Sequence, residues 1–139
     1  MQLKSYTDLE QSKKLAEILP LESADMCLTF VNNIWNPVWG KTDDIYKLQK
    51  DCYEPDYTKD EYVDFDEFEP KVVPCWSLAA LLNIIKIDYK LEKSLFDQSD
   101  YFTYAVYDSD EPKFRTYEYD NPIDACVEMI VKLKETDLL

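Results

Sequence analysis

The pattern of hydrophobic and polar positions predicts a helix, a strand and a second helix in the first 85 residues. Thr7-Asp8-Leu9-Glu10 has the form of a capping box, in which two side chains satisfy the free amides at a helix start. The helix that follows ends at Pro20, because proline cannot continue the hydrogen-bond ladder. Met26 to Val31 predicts a strand. Cys75 to Ile85 has helical spacing, and its apolar side carries Leu78, Leu81, Leu82 and Ile85.

The stretch 32–50 has no single pattern. It opens on Asn32-Asn33, two residues that favour turns and end the preceding strand. Trp35 and Trp39 flank Asn36-Pro37-Val38, a sequence typical of a loop. We interpret both tryptophans as packing anchors rather than as ligand-contacting groups.

The last third of the chain predicts strands and a final helix. Ile87 to Leu91, Tyr101 to Tyr107 and Phe114 to Tyr119 have strand-like patterns, and we expect the last two to form a hairpin. One residue of the pair Asp120-Asn121 would cap the final helix, with Pro122 in its first turn. The predicted inner face of this helix carries Ile123, Cys126, Val127, Ile130 and Leu133.

This order of elements predicts the α+β class, with a small, mainly antiparallel sheet and helices packed on one of its faces. We expect residues 1–139 to form a single compact domain, since 46% of them are hydrophobic and suffice for one core. The N-terminus lacks the profile of a signal peptide, and the longest apolar run, Leu78 to Leu82, is too short to cross a bilayer. We therefore expect a soluble, cytoplasmic protein.

The composition excludes several classes of site. The chain has 15 basic and 29 acidic residues, and its net charge of −14 argues against direct binding of nucleic acid or of an anionic membrane. It contains no histidine, so a Ser-His-Asp triad, a Cys-His pair or an HExxH zinc site cannot form. With Gly40 as its single glycine, it has no glycine-rich phosphate-binding loop. We therefore predict that the protein is not an enzyme and that it holds no cofactor and no metal.

The cysteines form no metal or redox motif. Cys27, Cys52, Cys75 and Cys126 lie far apart, and no CxxC pair occurs. We interpret them as free thiols that serve as small hydrophobic side chains. Cys75 is the one candidate for a reactive thiol, because it follows Pro74 at the predicted start of a helix, where the pKa of a thiol is lowered.

Residues 51–70 are the most unusual part of the chain, and we call them the acidic aromatic segment. They contain nine acidic residues, one lysine and five aromatic residues. Carboxylates steer the approach of a basic protein, and aromatic rings supply buried contact area. We therefore predict that this segment is a loop or insertion that binds a basic protein surface. The residues predicted to make the contact are Tyr57, Tyr62, Asp64, Phe65, Asp66, Glu67, Phe68 and Glu69.

Other interpretations of the acidic residues stay open. They could form a solvated face without a partner, or imitate nucleic acid and so inhibit a host defence or DNA-processing protein. A virion structural or assembly component, a homo-oligomer and a small carboxylate-dependent enzyme are further alternatives. Two acidic clusters also offer oxygen ligands for a divalent cation, although they lack the glycine of an EF-hand: Asp64, Asp66 and Glu67, and Asp108, Asp110 and Glu111.

Three stretches carry a resemblance to a known group of proteins. They are Ser23-Ala24-Asp25-Met26, Pro74-Cys75-Trp76-Ser77-Leu78-Ala79-Ala80-Leu81-Leu82 and Tyr119-Asp120-Asn121-Pro122-Ile123-Asp124-Ala125-Cys126-Val127-Glu128-Met129-Ile130. Through them the chain resembles small proteins of gut Bacteroides-type bacteria and of their phages and mobile elements. The group has no established activity, so the resemblance implies only a setting: the cytoplasm of a bacterial host, or a virion. The acidic aromatic segment lies outside these stretches.

Overall fold

The computed structural model describes residues 4–85, 89–95, 102–108, 116–117 and 119–136. The helices in these ranges are α1 (Leu9–Ile18), α2 (Thr42–Cys52), α3 (Leu78–Ile84) and α4 (Pro122–Glu135), with one 3₁₀ turn at Leu21–Ser23. The strands are β1 (Met26–Val31), β2 (Ile34–Trp39), β3 (Val72–Cys75), β4 (Tyr89–Leu95) and β5 (Phe102–Asp108).

The strands form two antiparallel sheets. β1 is the central strand of a three-stranded sheet with the order β2-β1-β3, and β4 pairs with β5 in a separate two-stranded sheet. α1 and α2 both contact β3, and α4 contacts β5 and α3. The predicted α+β class, with antiparallel strands and helices packed against them, is therefore confirmed.

The larger hydrophobic core lies between α1, α3 and α4. Trp76, which directly follows β3, is fully buried there together with Leu15 of α1 and Leu81 of α3. Burying large side chains of this kind stabilises the fold by about 1.5 to 3 kcal/mol each. The face of α4 that enters this core is the one predicted from the sequence, with Ile123, Cys126, Val127, Ile130 and Leu133 all buried.

A polar cluster joins the N-terminal segment to the start of α4. One carboxylate oxygen of Asp124 accepts hydrogen bonds from Lys4 Nζ at 2.9 Å and from Gln11 Nε2 at 2.6 Å. The other oxygen accepts from Asn121 Nδ2 at 2.8 Å. Asn121 is also the N-cap of α4, and Pro122 lies in its first turn, as predicted.

The capping box of α1 stands one residue later than predicted. Asp8 is the N-cap: its carboxylate accepts from the Gln11 amide at 2.8 Å, and its own amide donates to the Gln11 side chain at 3.1 Å. Thr7 is buried instead, where its hydroxyl accepts from the Trp76 amide at 3.1 Å and pairs with the Ser12 hydroxyl at 2.8 Å. Two overlapping motifs fit the capping pattern, and the burial of Thr7 decides between them.

The central helix α3 begins later than predicted. Cys75 belongs to β3, because the pairing of β3 with β1 continues to this residue. Ser77 is the N-cap of α3 and accepts a hydrogen bond from the Ala80 amide at 3.2 Å. On the predicted apolar side Leu81 and Ile85 are buried, whereas Leu82 is 41% exposed.

The loop expected around Trp35 and Trp39 is a strand. Asn32 and Asn33 have φ angles of 54° and 62°, the left-handed region that a two-residue hairpin turn requires and that asparagine tolerates. This turn folds β2 back against β1. Trp35 is a packing anchor, with its ring centre 5.2 Å from that of Phe30, but Trp39 is 68% exposed and does not anchor the core.

The two predicted strands that the structure describes in the last third of the chain pair with each other. Tyr89 to Leu95 of β4 runs antiparallel to Phe102 to Asp108 of β5. The predicted strand Phe114 to Tyr119 lies largely outside the described residues, as does Ile87. The pairing described for β5 is with the strand before it, and the hairpin expected with Phe114 to Tyr119 lies outside the described residues.

Candidate functional site

The acidic aromatic segment connects α2 to β3. Its first two residues, Asp51 and Cys52, complete α2, and the remainder contains neither helix nor strand. Almost all of its side chains are exposed or half-buried, with Pro70 as the buried residue at the return to the sheet. The segment therefore lies on the surface. Separate hydrogen bonds and ring contacts hold it in place, rather than the backbone hydrogen-bond ladder of a β-sheet.

Aromatic stacking joins the two ends of the segment. The rings of Tyr53 and Phe68 have centroids 3.8 Å apart and planes 8° apart, so they lie face to face. The Tyr53 hydroxyl donates to the Val63 carbonyl at 2.6 Å. Lys50 of α2 donates to the Phe68 carbonyl, and its ammonium lies 5.7 Å from the centre of the Phe65 ring. These contacts fix the base of the segment to the last turn of α2.

A second aromatic pair lies at the tip of the segment. Tyr57 and Tyr62 meet edge to face, with centroids 4.8 Å apart, and are 65% and 48% exposed. Asp56 forms the turn beside them by accepting from the Thr58 amide at 3.1 Å and from its hydroxyl at 2.5 Å. The hydrogen bonds from Thr58 lower the pKa of Asp56, so this carboxylate is ionised at neutral pH.

The carboxylates between the tip and the base lie exposed on the surface. The Asp64 carbonyl accepts from the amides of Glu67 and Phe68, both at 3.0 Å, and this turn leaves Asp64, Asp66 and Glu67 exposed. Within the described residues, none of the salt bridges includes a carboxylate of the segment. Among the described residues, negative charge therefore accumulates here without a salt-bridge partner.

The predicted contact residues fall into three groups. Tyr57 and Tyr62 form the exposed tip, Phe68 belongs to the base, and the remaining acidic residues and Phe65 surround the turn between them. Glu69 differs from the other acids, because its carboxylate accepts a hydrogen bond from the Tyr46 hydroxyl of α2. That hydrogen bond raises the pKa of Tyr46.

The sequence analysis missed the residues of α2 that hold the segment. Tyr46 and Lys50 are four residues apart on one side of α2, and both contact the returning chain. The sequence does contain a signal for this contact, because Tyr46 and Lys50 stand four residues apart shortly before the acidic aromatic segment. Such spacing on a helix could have predicted that α2 supports the loop that follows it.

The described side chains do not assemble a metal site. No three Asp, Glu or Cys residues in the ranges that the structure covers lie close enough together to hold an ion, and this includes Asp64, Asp66 and Glu67. In the second cluster proposed from the sequence, Asp110 and Glu111 lie outside those ranges.

The structure corrects the prediction for Cys75. This thiol lies in a strand, fully buried, and burial raises its pKa although Thr7 and Ser12 donate hydrogen bonds to it. Burial raises the pKa of Cys126 to about 12. Cys52, at the end of α2, is the exposed cysteine. The prediction of a reactive thiol at Cys75 is therefore wrong, since no helix begins at this residue.

A groove of about 440 Å³ lies along α3, and its lining combines Glu22, Asp25, Lys41 and Asn83 with Ala79, Ala80 and Ile84. Both carboxylate oxygens of Asp25 accept from Ser77, one from its amide at 2.9 Å and one from its hydroxyl. Lys41 donates to the carbonyls of Glu22 at 2.7 Å and Ala24 at 3.2 Å. Asp25 thus fixes the residue before β1 to the N-cap of α3, and Lys41 fixes the start of α2 to residues 22–24.

None of the helices described here is long and apolar enough to span a membrane. Comparison with other proteins adds no relationship: no protein-family model, no curated protein and no solved structure matches this chain.

Proposed function

We propose that this chain is a non-enzymatic binding protein whose acidic aromatic segment docks on a basic surface of another protein. The observation that supports this function is the combination, in one segment, of exposed carboxylates that form no salt bridge with the described residues and two aromatic pairs in ring contact. Charge alone would give only a solvated face. Ordered aromatic rings beside the charge are what a contact surface requires.

The two kinds of side chain have different tasks in this proposal. Asp64, Asp66 and Glu67 raise the rate of encounter with a basic partner and select against acidic ones. The exposed rings of Tyr57 and Tyr62 supply apolar area and faces on which Lys or Arg side chains stack. The two rings would contribute contact area after the charges have oriented the two proteins.

Order in the segment favours tight binding. A disordered loop loses conformational entropy when it binds, and this loss weakens the complex. The stacked base and the turns at Asp56 and Asp64 hold the segment before any partner arrives. Binding then requires little further ordering of the backbone.

A nucleic-acid-binding protein is the partner class that this surface fits best. Such proteins carry clustered Lys and Arg side chains that contact phosphates. Occupation of that cluster by the carboxylates of this segment would exclude nucleic acid, and the chain would then act as an inhibitor. The resemblance to phage and mobile-element proteins suggests a bacterial cytoplasm as the place where this occurs.

Affinity purification with matched variants tests the proposal. One variant carries Asp64→Asn, Asp66→Asn, Glu67→Gln and Glu69→Gln. The control removes four exposed carboxylates elsewhere and so has the same net charge: Glu10→Gln, Glu17→Gln, Glu22→Gln and Glu135→Gln. Each tagged protein is mixed with a lysate of a gut Bacteroides-type bacterium and washed at about 0.1 M and then about 0.5 M salt, because salt screens exposed charges.

We expect the wild type and the control to retain the same basic protein at low salt and to release it at high salt. The segment variant should retain none of it at either salt concentration. Equal retention by the segment variant and the control would contradict the proposal, because only the total charge would then matter. Failure of the wild type to retain any basic protein would contradict it as well.

A further inference from the structure

None of the residues 42–69 is buried, although they include a complete helix. They comprise α2 and the acidic aromatic segment as far as its last acidic residue, and each of them is exposed or half-buried. Among the half-buried residues of α2, Ile45 is the one large apolar side chain; the others are Thr42, Gln49 and Lys50. Because an isolated helix of 11 residues is only marginally stable in water, α2 depends on contacts with the rest of the fold.

α2 covers a buried, uncharged side of the sheet β2-β1-β3. Cys27 and Pro74 are opposite each other in register and so lie on the same side of the sheet, as does Thr29 two residues further along β1. All three are buried. The Cys27 thiol donates to the Gly40 carbonyl at 3.3 Å and lies 3.8 Å from the hydroxyl of Thr42, the first residue of α2. α2 also contacts both β1 and β3, so it lies over the Cys27 side.

Two side chains of α2 hold the acidic aromatic segment rather than the sheet. The Tyr46 hydroxyl donates to the Glu69 carboxylate, and Lys50 donates to the Phe68 carbonyl. Both acceptors belong to the stretch 42–69 itself. The helix and the segment therefore support each other, and loss of one removes contacts from the other.

Both ends of the stretch 42–69 are fixed to the rest of the fold. Before it, Lys41 donates to the carbonyls of Glu22 at 2.7 Å and Ala24 at 3.2 Å, and after it Pro70 is buried. Regions with few buried apolar contacts open locally at a lower free energy than core helices. A stretch that is fixed at its ends, joined within itself and not buried is expected to open as one unit.

We propose that residues 42–69 form a lid, which opens by local unfolding and uncovers the Cys27 side of the sheet while the rest of the fold stays intact. Opening breaks the contact between Cys27 and Thr42 and exposes the thiol to solvent. Cys75 lies on the other side of the sheet, in the smaller core, and Cys126 lies in the larger core. Both are reached only when larger parts of the chain unfold. The lid does not rest on the proposed function, because its opening requires no partner.

Prolonged thiol labelling of the whole chain with N-ethylmaleimide, followed by mass spectrometry of its peptides, tests the lid. The chain carries Cys52→Ser, which removes the exposed thiol, so that the remaining cysteines react only when the structure opens. We expect Cys27 to be labelled at least about tenfold faster than Cys75 and Cys126.

The test variant is Ile45→Ala, which removes the large apolar side chain from the inner side of the lid. It should speed the labelling of Cys27 by about tenfold and leave Cys126 unchanged. Leu48→Ala is the matched control, because it shortens an apolar side chain of the same helix at a position that is 58% exposed. It should leave the labelling rate of Cys27 unchanged.

Amide hydrogen exchange shows whether the lid opens as one unit. In Ile45→Ala, exchange should speed together in α2 and in the turn after Asp64, where the amides of Glu67 and Phe68 donate to the Asp64 carbonyl. Exchange in β1 should not change. Faster exchange in β1 would overturn the proposal, because Cys27 would then be exposed by opening of the sheet itself.

Equal labelling rates for Cys27, Cys75 and Cys126 would also overturn the proposal, since Cys27 would then be reached by unfolding of the whole chain. An equal acceleration of all three thiols in Ile45→Ala would do the same. A Cys27 rate that does not respond to Ile45→Ala, or that responds as strongly to Leu48→Ala, would show that the inner side of α2 does not hold the lid closed.

Discussion

Tyr53 and Phe68 stack face to face, with ring centroids 3.8 Å apart, and so bring together the two ends of the acidic aromatic segment. The stack lies beside Lys50, which holds the Phe68 carbonyl from the last turn of α2. A loop that carries so many carboxylates would otherwise repel itself into an extended chain. The stacked rings are the reason that its charges stand at defined positions.

Removal of this stack should loosen the segment and leave the core folded. We expect Phe68→Ala to speed amide hydrogen exchange between residues 54 and 67 by about 2- to 10-fold, since an aromatic pair is worth about 0.5 to 1.5 kcal/mol. Exchange in α4 should not change. Mass spectrometry of exchanged peptides measures both regions.

Tyr57→Ala is the matched control, because it removes an exposed tyrosine from the tip without affecting the base. It should leave exchange near Tyr53 and Phe68 as in the wild type. Equal exchange in Phe68→Ala and the wild type would show that the stack does not hold the loop.

The stability of the fold should depend on pH through Asp124. Burial acts to raise the pKa of Asp124, but hydrogen bonds from Lys4, Asn121 and Gln11 outweigh it, and the pKa falls below its ordinary value of 3.8. A pKa lowered by folding stabilises the protein above the ordinary value, and the stabilisation is lost as the pH falls through the folded-state pKa. We expect Asp124→Asn to lower the free energy of unfolding by about 1 kcal/mol at neutral pH.

This difference between the wild type and Asp124→Asn should shrink as the pH falls below 3.8. Urea unfolding at neutral and acidic pH measures it. A difference that stays constant over that range would mean that the carboxylate charge of Asp124 does not contribute.

Thiol labelling should distinguish Cys52 from the other cysteines. Cys52 is exposed, and Cys27, Cys75 and Cys126 are buried with raised pKa values. A colorimetric thiol reagent at neutral pH should therefore label one thiol of the folded protein and four in denaturant. Cys52→Ser should label none when folded. Fast labelling of Cys75 in the folded protein would contradict the buried β3 strand.

Gly40 should not tolerate a side chain. Its φ angle is +141°, a conformation that L-residues rarely adopt, and a Cβ there would lie 3.0 Å from Cδ1 of Ile45. We expect Gly40→Ala to destabilise the protein by about 1 to 3 kcal/mol, as measured by urea unfolding. The double variant Gly40→Ala with Ile45→Val should lose less than the sum of its parts, since it relieves the steric contact. Unchanged stability of Gly40→Ala would refute the backbone conformation.

Parts of this fold could be predicted from sequence because local signals and burial agree there. The last helix, α4, has an N-cap, a proline in its first turn and an unbroken apolar face, and all three predict the same element. Strand β1 is apolar and ends at two asparagines that can adopt positive φ. In both elements the local pattern and the tertiary contacts favour one structure.

Other parts depend on contacts between residues distant in sequence. β2 resembles a loop because it contains Pro37 and has no buried residue, and only its pairing with β1 makes it a strand. Cys75 looks like the start of a helix until its pairing with β1 is known. In the candidate site, the acidic and aromatic residues were visible in the sequence, but the partners Tyr53 with Phe68 and Tyr57 with Tyr62 were not.

In the proposed function, the acidic aromatic segment binds a basic protein through its own carboxylates. The most direct measurement is the dissociation constant of the captured partner for the wild type, the segment variant and the charge-matched control, as a function of salt. We predict that the wild type and the control weaken by about tenfold or more between about 0.1 and 0.5 M salt, and that the segment variant binds weakly with little salt dependence. The same affinity and salt dependence in all three proteins would contradict the account.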